Sequence, residues 1–558
     1  MSLQFITGNS GNGKTKYLFN RIVKEAKANP RDNYLVIVPE QFTMQTQRQL
    51  VDLSENKAIM NIDVLSFKRL AYRVFDELGI TNLTVLEETG KNLVLRKLAA
   101  QEADKLGVIG RNLNRIGYIS EVKSLLSELV QYNISPEELG RYIASGRLSD
   151  TLSDKLKDVL VLYEAFEKFM QDKYITAEEI LNVLCNVAEE SAILRNSVIA
   201  FDEFTGFTPI QNQLIKKLFV ISKKIYVTLT IDCREDIFKS RGMQELFDMP
   251  KRTVKSLTEM AAFYGIEVEE PIILDKNYRL AENEELSFME QQLFRKRRCS
   301  FKKVPKHIHI DCLRDPKQEL TKIARRINEL VRNENLRYRD IAIVTGDVNI
   351  YAGYVREIFD KYNIPYFIDA TQEILFHPFI EFIRSIPDIA AQNFSADAVF
   401  RFLRCGFSEL LDSEIDVLEN YVLACGVRGK SAWDKKWVRL PKHKAGYDLE
   451  LLNQSREYIM EMLKPVYQVF SDKKSTVKDY VLTIYKLIVL LDIPDKLAKK
   501  EQALLDAGDQ TASKEYGQIY KIVMQLFEKY VAVLGDECMD AEEFTQILDA
   551  GLDAADVA

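Results

Sequence analysis

The sequence predicts an α/β protein built on two parallel sheets, each interrupted by a long helical insertion. Three observations carry that reading. A glycine-rich loop lies between an apolar strand and an amphipathic helix at the start of the chain. Strand-forming runs then vanish for about 110 residues and return near residue 197. A second alternation of strands and helices begins at Ile308 and gives way to helices after about residue 390.

Size and composition set the limits. A chain of 558 residues exceeds one domain and predicts about three or four. Hydrophobic residues at 47 % and charged residues at 28 % are ordinary for a globular protein, so burying a core is no obstacle. The net charge of −7 excludes a bulk-basic nucleic-acid coat protein. It leaves room for local DNA contacts, which need only a few placed cations. No apolar run reaches the ~18 residues of a membrane span. The chain opens directly on a strand, so no signal or transit peptide is expected. The seven cysteines are far apart with no C-x-x-C, which argues against a zinc ribbon or a disulfide framework and for a reduced, cytoplasmic protein. His307 and His309 alternate along an expected strand and are read as structural.

Residues 3–7 form the first expected strand. Gly8, Asn9, Ser10, Gly11, Asn12, Gly13, Lys14 and Thr15 follow and fit G-x-x-x-x-G-K-[ST], the phosphate-binding P-loop. Its glycines let backbone N–H groups turn toward a phosphate, and the helix N-terminus adds partial positive charge. ATP is the expected ligand, with Lys14 reaching the β and γ phosphates and Thr15 holding Mg²⁺. Tyr17, Leu18, Ile22 and Val23 recur at helical spacing.

Residues 34–38 are a candidate central strand ending at Pro39, with residues 40–43 at its carboxyl end, where open α/β sheets bind ligands. Residues 63–65 precede a helix for which Ser66 is the expected N-cap. Phe67, Leu70, Ala71, Val74 and Phe75 form its apolar stripe, and Lys68, Arg69 and Arg73 lie off it. Those cations fit either a solvated face or contact with a nucleic-acid backbone.

From 86 to 195 only helical periods remain, an insertion by position. Residues 197–201 then run into Asp202-Glu203, the form of a Walker B strand. Asp202 is the expected magnesium carboxylate and Glu203 the residue polarising an attacking water. A tight loop at 204–209 and a strand at 225–230 follow. Asn277-Tyr278-Arg279 precedes a helix, and the chain then turns basic at Arg295, Lys296, Arg297, Arg298, Lys302, Lys303 and Lys306. That run fits a linker or a DNA-facing hinge. The second α/β stretch has expected strands at 308–311, 341–344 and 366–368, with helices between. Further on, Trp433 and Trp437 lie among Lys435, Lys436, Arg439, Lys442 and Lys444. They fit either base stacking or a helix capping its own core, with the second favoured. Residues 551–558 carry no convincing element.

This plan resembles the UvrD-like superfamily-one DNA helicases. Gly8 to Thr15 resembles their motif one, Ser66-Phe67 their Thr-Phe-His motif, and Asp202-Glu203 their motif two. Asn277-Tyr278-Arg279 resembles motif four, whose arginine approaches the γ-phosphate. Residues 38–43, 204–209, 366–369 with His377-Pro378, and 418–421 are more specifically similar to the AddB family, which supplies one of the two chains of the AddAB (RexAB) helicase–nucleases. The resemblance covers nearly the whole chain. It implies two P-loop (RecA-like) parallel-sheet domains, each with a helical insertion: 1–85 with 196–295, insertion 86–195, then 296–390 and insertion 391–558. It implies catalytic roles for Asp202, Glu203 and Arg279, DNA contacts at Ser66, Phe67, Arg69 and Arg73, and Mg²⁺ on Thr15 and Asp202. The partners implied are single-stranded DNA, duplex ends and an AddA-type helicase/nuclease subunit, with no membrane.

Members of that family are about twice as long. Their carboxyl half resembles a nuclease and holds an iron–sulfur cluster on four cysteines, so cluster and nuclease site are expected only outside this chain. The helicase coupling motif Gly-Asp-x-x-Gln is also broken here, since residues 230–238 read TIDCREDIF without the glutamine. Three functions stay open: a DNA-scanning subunit that binds ATP and reads the Chi signal during double-strand-break repair, an autonomous translocase, and a nucleotide-independent DNA-binding module.

Overall fold

The computed structural model describes residues 1–558 except 81–84, 87, 109, 111–117, 147, 171–173, 177, 296–298, 370–371, 375, 442–446, 554–555 and 558. In chain order come β1 (Ser2–Gly8), α1 (Lys14–Ala28), β2 (Tyr34–Ile37), α2 (Thr43–Leu53), β3 (Ile62–Leu65), α3 (Phe67–Leu78) and β4 (Val85–Leu86). Then follow α4 (Glu88–Gln101), α5 (Tyr118–Gln131), α6 (Pro136–Ala144), α7 (Asp150–Met170), β5 (Ile175–Thr176) and α8 (Ile180–Val187). Strands resume with β6 (Val198–Phe201), α9 (Pro209–Ile221), β7 (Lys224–Thr230), α10 (Asp248–Phe263), β8 (Glu267–Val268), β9 (Ile272–Leu274) and α11 (Glu284–Gln292). Beyond them lie α12 (Pro316–Asn333), α13 (Val348–Lys361), β10 (Gln372–Glu373), α14 (Pro378–Ala391), α15 (Ala396–Leu403), α16 (Asp412–Cys425) and α17 (Lys430–Asp434). The last are α18 (Leu449–Ser471), α19 (Val477–Leu490), α20 (Ile493–Asp506), α21 (Gln510–Leu534), α22 (Ala541–Asp553) and β11 (Asp556–Val557).

These elements form two compact units. One comprises Met1–Leu86, Ser124–Ser149 and Glu167–Asp311, and the other Glu87–Lys123, Asp150–Phe166 and Cys312–Ala558. The helical stretch expected as one insertion over 86–195 is thus shared between them.

The first unit holds a parallel sheet in the order β3-β2-β6-β7-β1-β8, with β9 also beside β1. Register sets Gly8 against Thr230 and Ile37 against Phe201, so all the glycine and acidic loops leave from one edge. The strands read as near-continuous apolar runs because both faces are covered. Phe5, Ile37, Ile199 and Phe201 pack with residues of α3, α9 and α10 on one face, and Ile6, Val36 and Ala200 with Leu18, Phe19 and Ile22 of α1 on the other. The start of α9 is fixed by a capping box between Thr208 and Gln211 with Pro209 in its first turn.

The second unit is helical, around a core that includes Phe379, Phe382, Trp433, Tyr480 and Tyr530. The strands expected at 308–311, 341–344 and 366–368 do not form, so no second parallel sheet of that kind is seen among the described residues. Only the intervening helices α12 and α13 appear, joined through Leu320, Ala324, Ile327, Ile358 and Phe359. A strand needs a neighbour for its N–H and C=O groups, and these segments have none among the described residues. Their β-formers stand in solvent, with Ile310 94 %, Val344 92 % and Phe367 88 % exposed. The end of the chain also departs from expectation: α22 extends to Asp553, and β11 pairs antiparallel with β10. All seven cysteines are free, and no helix among the described residues is long and apolar enough to cross a membrane.

Candidate nucleotide site

The P-loop joins β1 to α1 by a path that strongly favours glycine at two points. Gly11 has φ 86° and Gly13, the residue capping α1, φ 78°. A Cβ on Gly11 would come within 2.8 Å of Asn277 Oδ1 and 2.9 Å of Arg279 Cβ. The reason is that the 275–279 segment lies directly on the loop. The backbone N–H groups of Tyr278 and Arg279 both donate to the Gly11 carbonyl, at 3.0 and 3.3 Å. Asn277 Nδ2 donates to the Ser10 carbonyl at 3.0 Å, and Asn12 Nδ2 to the Leu274 carbonyl at 2.5 Å. Segments some 265 residues apart in sequence are locked together by four hydrogen bonds.

Lys14, Thr15, Asp202, Glu203 and Arg279 line one cavity here, of about 750 Å³. Lys14 Nζ donates to the carbonyls of Gly8 and Asn9, both at 3.0 Å. Burial lowers its pKa, and the Glu203 and Asp202 carboxylates oppose that shift. The Thr15 hydroxyl donates to Glu203 Oε1 at 3.2 Å. Asp202 is 1 % exposed, and its Oδ1 accepts a short hydrogen bond from the Thr228 hydroxyl on β7. Burial raises the Asp202 pKa, with the Thr228 bond acting against it. Glu203 sits at φ 64°, an uncommon backbone for a non-glycine residue, which turns its side chain out toward solvent.

The donor set fits a magnesium nucleotide. Asp202 Oδ2 is buried with no hydrogen-bond partner, and the Thr15 hydroxyl lies in the same cavity. No cluster of three or more His, Cys, Asp or Glu ligands occurs among the described residues. A magnesium ion carried by phosphates needs only one or two protein oxygens, so that is consistent.

Two residues of the site, Thr228 and Tyr278, had no role in the sequence reading, and Asn9 differs from its expected place in the phosphate cradle. Thr228 orients Asp202 from a neighbouring strand. The Tyr278 ring lies 3.5 Å from where a Gly13 Cβ would be, and it is 65 % exposed over the cavity. Its place in Asn-Tyr-Arg was the available signal. Asn9 turns away from the cavity, accepting from Cys233 N–H at 3.0 Å and donating to Glu290 at 2.8 Å. Beside it stands Asp232, held by Arg234 at 2.6 Å and Arg295 at 2.9 Å. Burial alone would raise its pKa, but the two guanidiniums hold the carboxyl far below the usual range.

The α3 residues have different surroundings. Phe67 is buried in an aromatic cluster with Phe201, Phe204 and Phe207, at centroid distances of 5.8, 5.5 and 6.3 Å. It anchors the helix. Ser66 caps α3 by accepting from Arg69 N–H at 3.3 Å, and it donates a short bond to Glu40. Arg69 Nε reaches Glu40 at 2.8 Å, and Arg73 lies 3.9 Å from Asp63. Both side chains remain more than half exposed. Of the basic run, Arg295 is largely buried, Lys303 pairs with Glu284, and 296–298 lie outside the described residues.

Comparison with known proteins gives this geometry a family. Residues 5–290 match the family described as ADDB, N-terminal. The chain is 38 % identical over all its length to the B subunit of the ATP-dependent helicase/deoxyribonuclease of Lachnoclostridium phytofermentans, covering 49 % of that protein. It is 32 % identical over 99 % of its length to the same subunit of Clostridium acetobutylicum, covering 48 %, and 32 % identical over its full length to that of Caldanaerobacter subterraneus, covering 49 %. The chain spans about half the length of these relatives. The matched residues include the loop, the acidic pair and the segment docked on the loop, and the chain belongs to the AddB amino-terminal family.

Proposed function

We propose that this chain is the ATP-binding, DNA-contacting part of an AddB-type helicase/deoxyribonuclease subunit that processes double-strand breaks with an AddA-type partner in the cytoplasm. The observation that carries the reading is the buried, partnerless Oδ2 of Asp202, a residue that lines one cavity with Lys14 and Thr15. Gly8 to Thr15 would cradle the phosphates, with Lys14 released from its loop carbonyls to meet them. Thr15 and Asp202 would hold Mg²⁺, which when bound neutralises phosphate charge. Glu203 would orient a water, Arg279 would approach the γ-phosphate, and Tyr278 would cover the nucleotide. Arg69 and Arg73 would follow the backbone of single-stranded DNA, while Ser66 and Phe67 fix the helix that presents them.

The missing coupling glutamine favours binding and scanning for Chi over translocation. The 296–390 region would be part of a second RecA-like domain. A competing reading, a nucleotide-independent DNA-binding module, draws on one observation: Lys14 and Thr15 are already satisfied within the chain. ATP turnover and DNA affinity measured across salt separate the two. The expected results are ATP binding with little DNA-stimulated turnover, and a salt slope that falls by about 1.4 in Arg69→Gln/Arg73→Gln at ~0.7 per single-strand contact. Strong DNA-stimulated turnover would make the chain an autonomous motor, and an unchanged slope would take α3 out of the DNA path.

A further inference from the structure

The tryptophan-and-lysine segment of the second unit divides cleanly between core and surface. Trp433 is fully buried, and Trp437 is 7 % exposed with its ring 5.2 Å from that of Trp433. Neither ring is available to stack on a base. Between and after them, Lys435, Lys436 and Arg439 are exposed, as is Arg428 just before α17. None of these four forms an ion pair among the described residues, although the neighbouring Lys430 pairs with Asp434. Residues 428–439 hold five cations, Arg428, Lys430, Lys435, Lys436 and Arg439, against one acid, Asp434, a local positive charge in a chain whose net charge is −7.

The strap carrying them is fixed at several points. Asn453 on α18 clamps both backbone groups of Trp437, accepting from its N–H and donating to its carbonyl, each at 2.9 Å. The Tyr421 hydroxyl donates to the Arg439 carbonyl at 2.7 Å. The buried Arg456 donates to the Trp433 carbonyl at 2.8 Å, and Trp437 Nε1 to the Ala432 carbonyl at 3.0 Å. A merely solvated loop needs no such bracket. A pre-ordered one lowers the entropy lost when its side chains engage a ligand.

We propose that the strap at Lys435, Lys436 and Arg439 is a phosphate-backbone contact for duplex DNA, distinct from the nucleotide cavity and from α3. This rests on the reading that the chain binds DNA. The chemistry favours a polyanion. From 435 to 439 the strap spans at most ~13 Å at about 3.3 Å per residue. Duplex DNA presents roughly eight charges over that length, at one per ~1.7 Å. Unpaired Lys and Arg on a rigid edge, with no ring free to read a base, suit binding that is blind to sequence.

The test uses the full chain, a fluorescent duplex oligonucleotide and a salt series. The variant is Lys435→Gln/Lys436→Gln/Arg439→Gln. The control, Lys473→Gln/Lys499→Gln/Lys500→Gln, removes equal charge from exposed positions elsewhere. Circular dichroism checks that both fold. The strap variant is expected to lose at least about tenfold in affinity and to flatten the log–log salt slope by about 2.7, at ~0.9 per contact, with the control near wild type. An unchanged slope, or an equal fall in both variants, overturns the strap while leaving DNA binding by the chain intact. Equal wild-type affinity for poly-glutamate would point to an acidic protein instead and also overturn it. Failure of the wild-type chain to bind DNA at all would sink both this proposal and the reading beneath it.

Discussion

Two stretches of this chain make the same promise in sequence and keep it differently. Residues 34–38 and 341–344 are both short, β-branched and apolar, and both are followed by a helix. The first becomes β2, flanked by β3 and β6 and buried along its length. The second lies unpaired, with Val344 almost wholly exposed. Propensity describes what a segment can become once neighbours cover it. In the first unit those neighbours come from residues 62–65 and 198–201. In the second unit no partner strand exists among the described residues, and only α12 and α13, which need each other alone, are in place.

The sharpest way to break that comparison is a matched pair of truncations. Phe201→Ala, in a fully buried strand position, should cost about 3–5 kcal/mol in denaturant unfolding of the first unit. Phe367→Ala should change stability by no more than about 0.5 kcal/mol. A large loss from Phe367→Ala would mean that the second stretch is packed after all.

A smaller effect is expected at the loop. Gly11→Ala forces a side chain into a left-handed backbone, at about 1–2 kcal/mol, and pushes against Asn277 and Arg279. Stability should fall modestly while nucleotide affinity falls more, because the docked 275–279 segment must shift. Equal affinity in this variant would show that the docking has no bearing on the site.

The smallest effect runs the other way. The Asp202 carboxyl titrates higher folded than unfolded because burial penalises its charge. Its contribution to stability is therefore fully present below the unfolded pKa and lost as pH rises through the folded one. Asp202→Asn should be more stable than wild type at neutral pH, and the advantage should close as pH falls. A variant less stable at neutral pH would mean that Asp202 holds the fold rather than the metal.

What the sequence revealed and hid follows from range. Gly8 to Thr15 and Asp202-Glu203 are short stretches whose chemistry is written in consecutive residues, so they were legible. The convergence of Arg279 on the loop could be read only through motif order. The burial of Phe67 could not, because Phe201, Phe204 and Phe207 that enclose it come from more than 130 residues away. Thr228 was invisible for the same reason: a threonine on a strand gains a role only when register places it beside Asp202. The sharing of the 86–195 helices between two units depends on tertiary contacts that no local pattern encodes.

The central claim is that the cavity around Lys14 and Asp202 takes a magnesium nucleotide. Equilibrium titration of the full chain with ATP, with and without Mg²⁺, beside Lys14→Ala, tests it most directly. The wild type should bind saturably and more tightly with Mg²⁺. Lys14→Ala should lose at least about tenfold, as expected for a charge-assisted hydrogen bond of ~1.5–3 kcal/mol, with an unchanged melting curve. Equal binding by both proteins, or none by the wild type, would contradict the account.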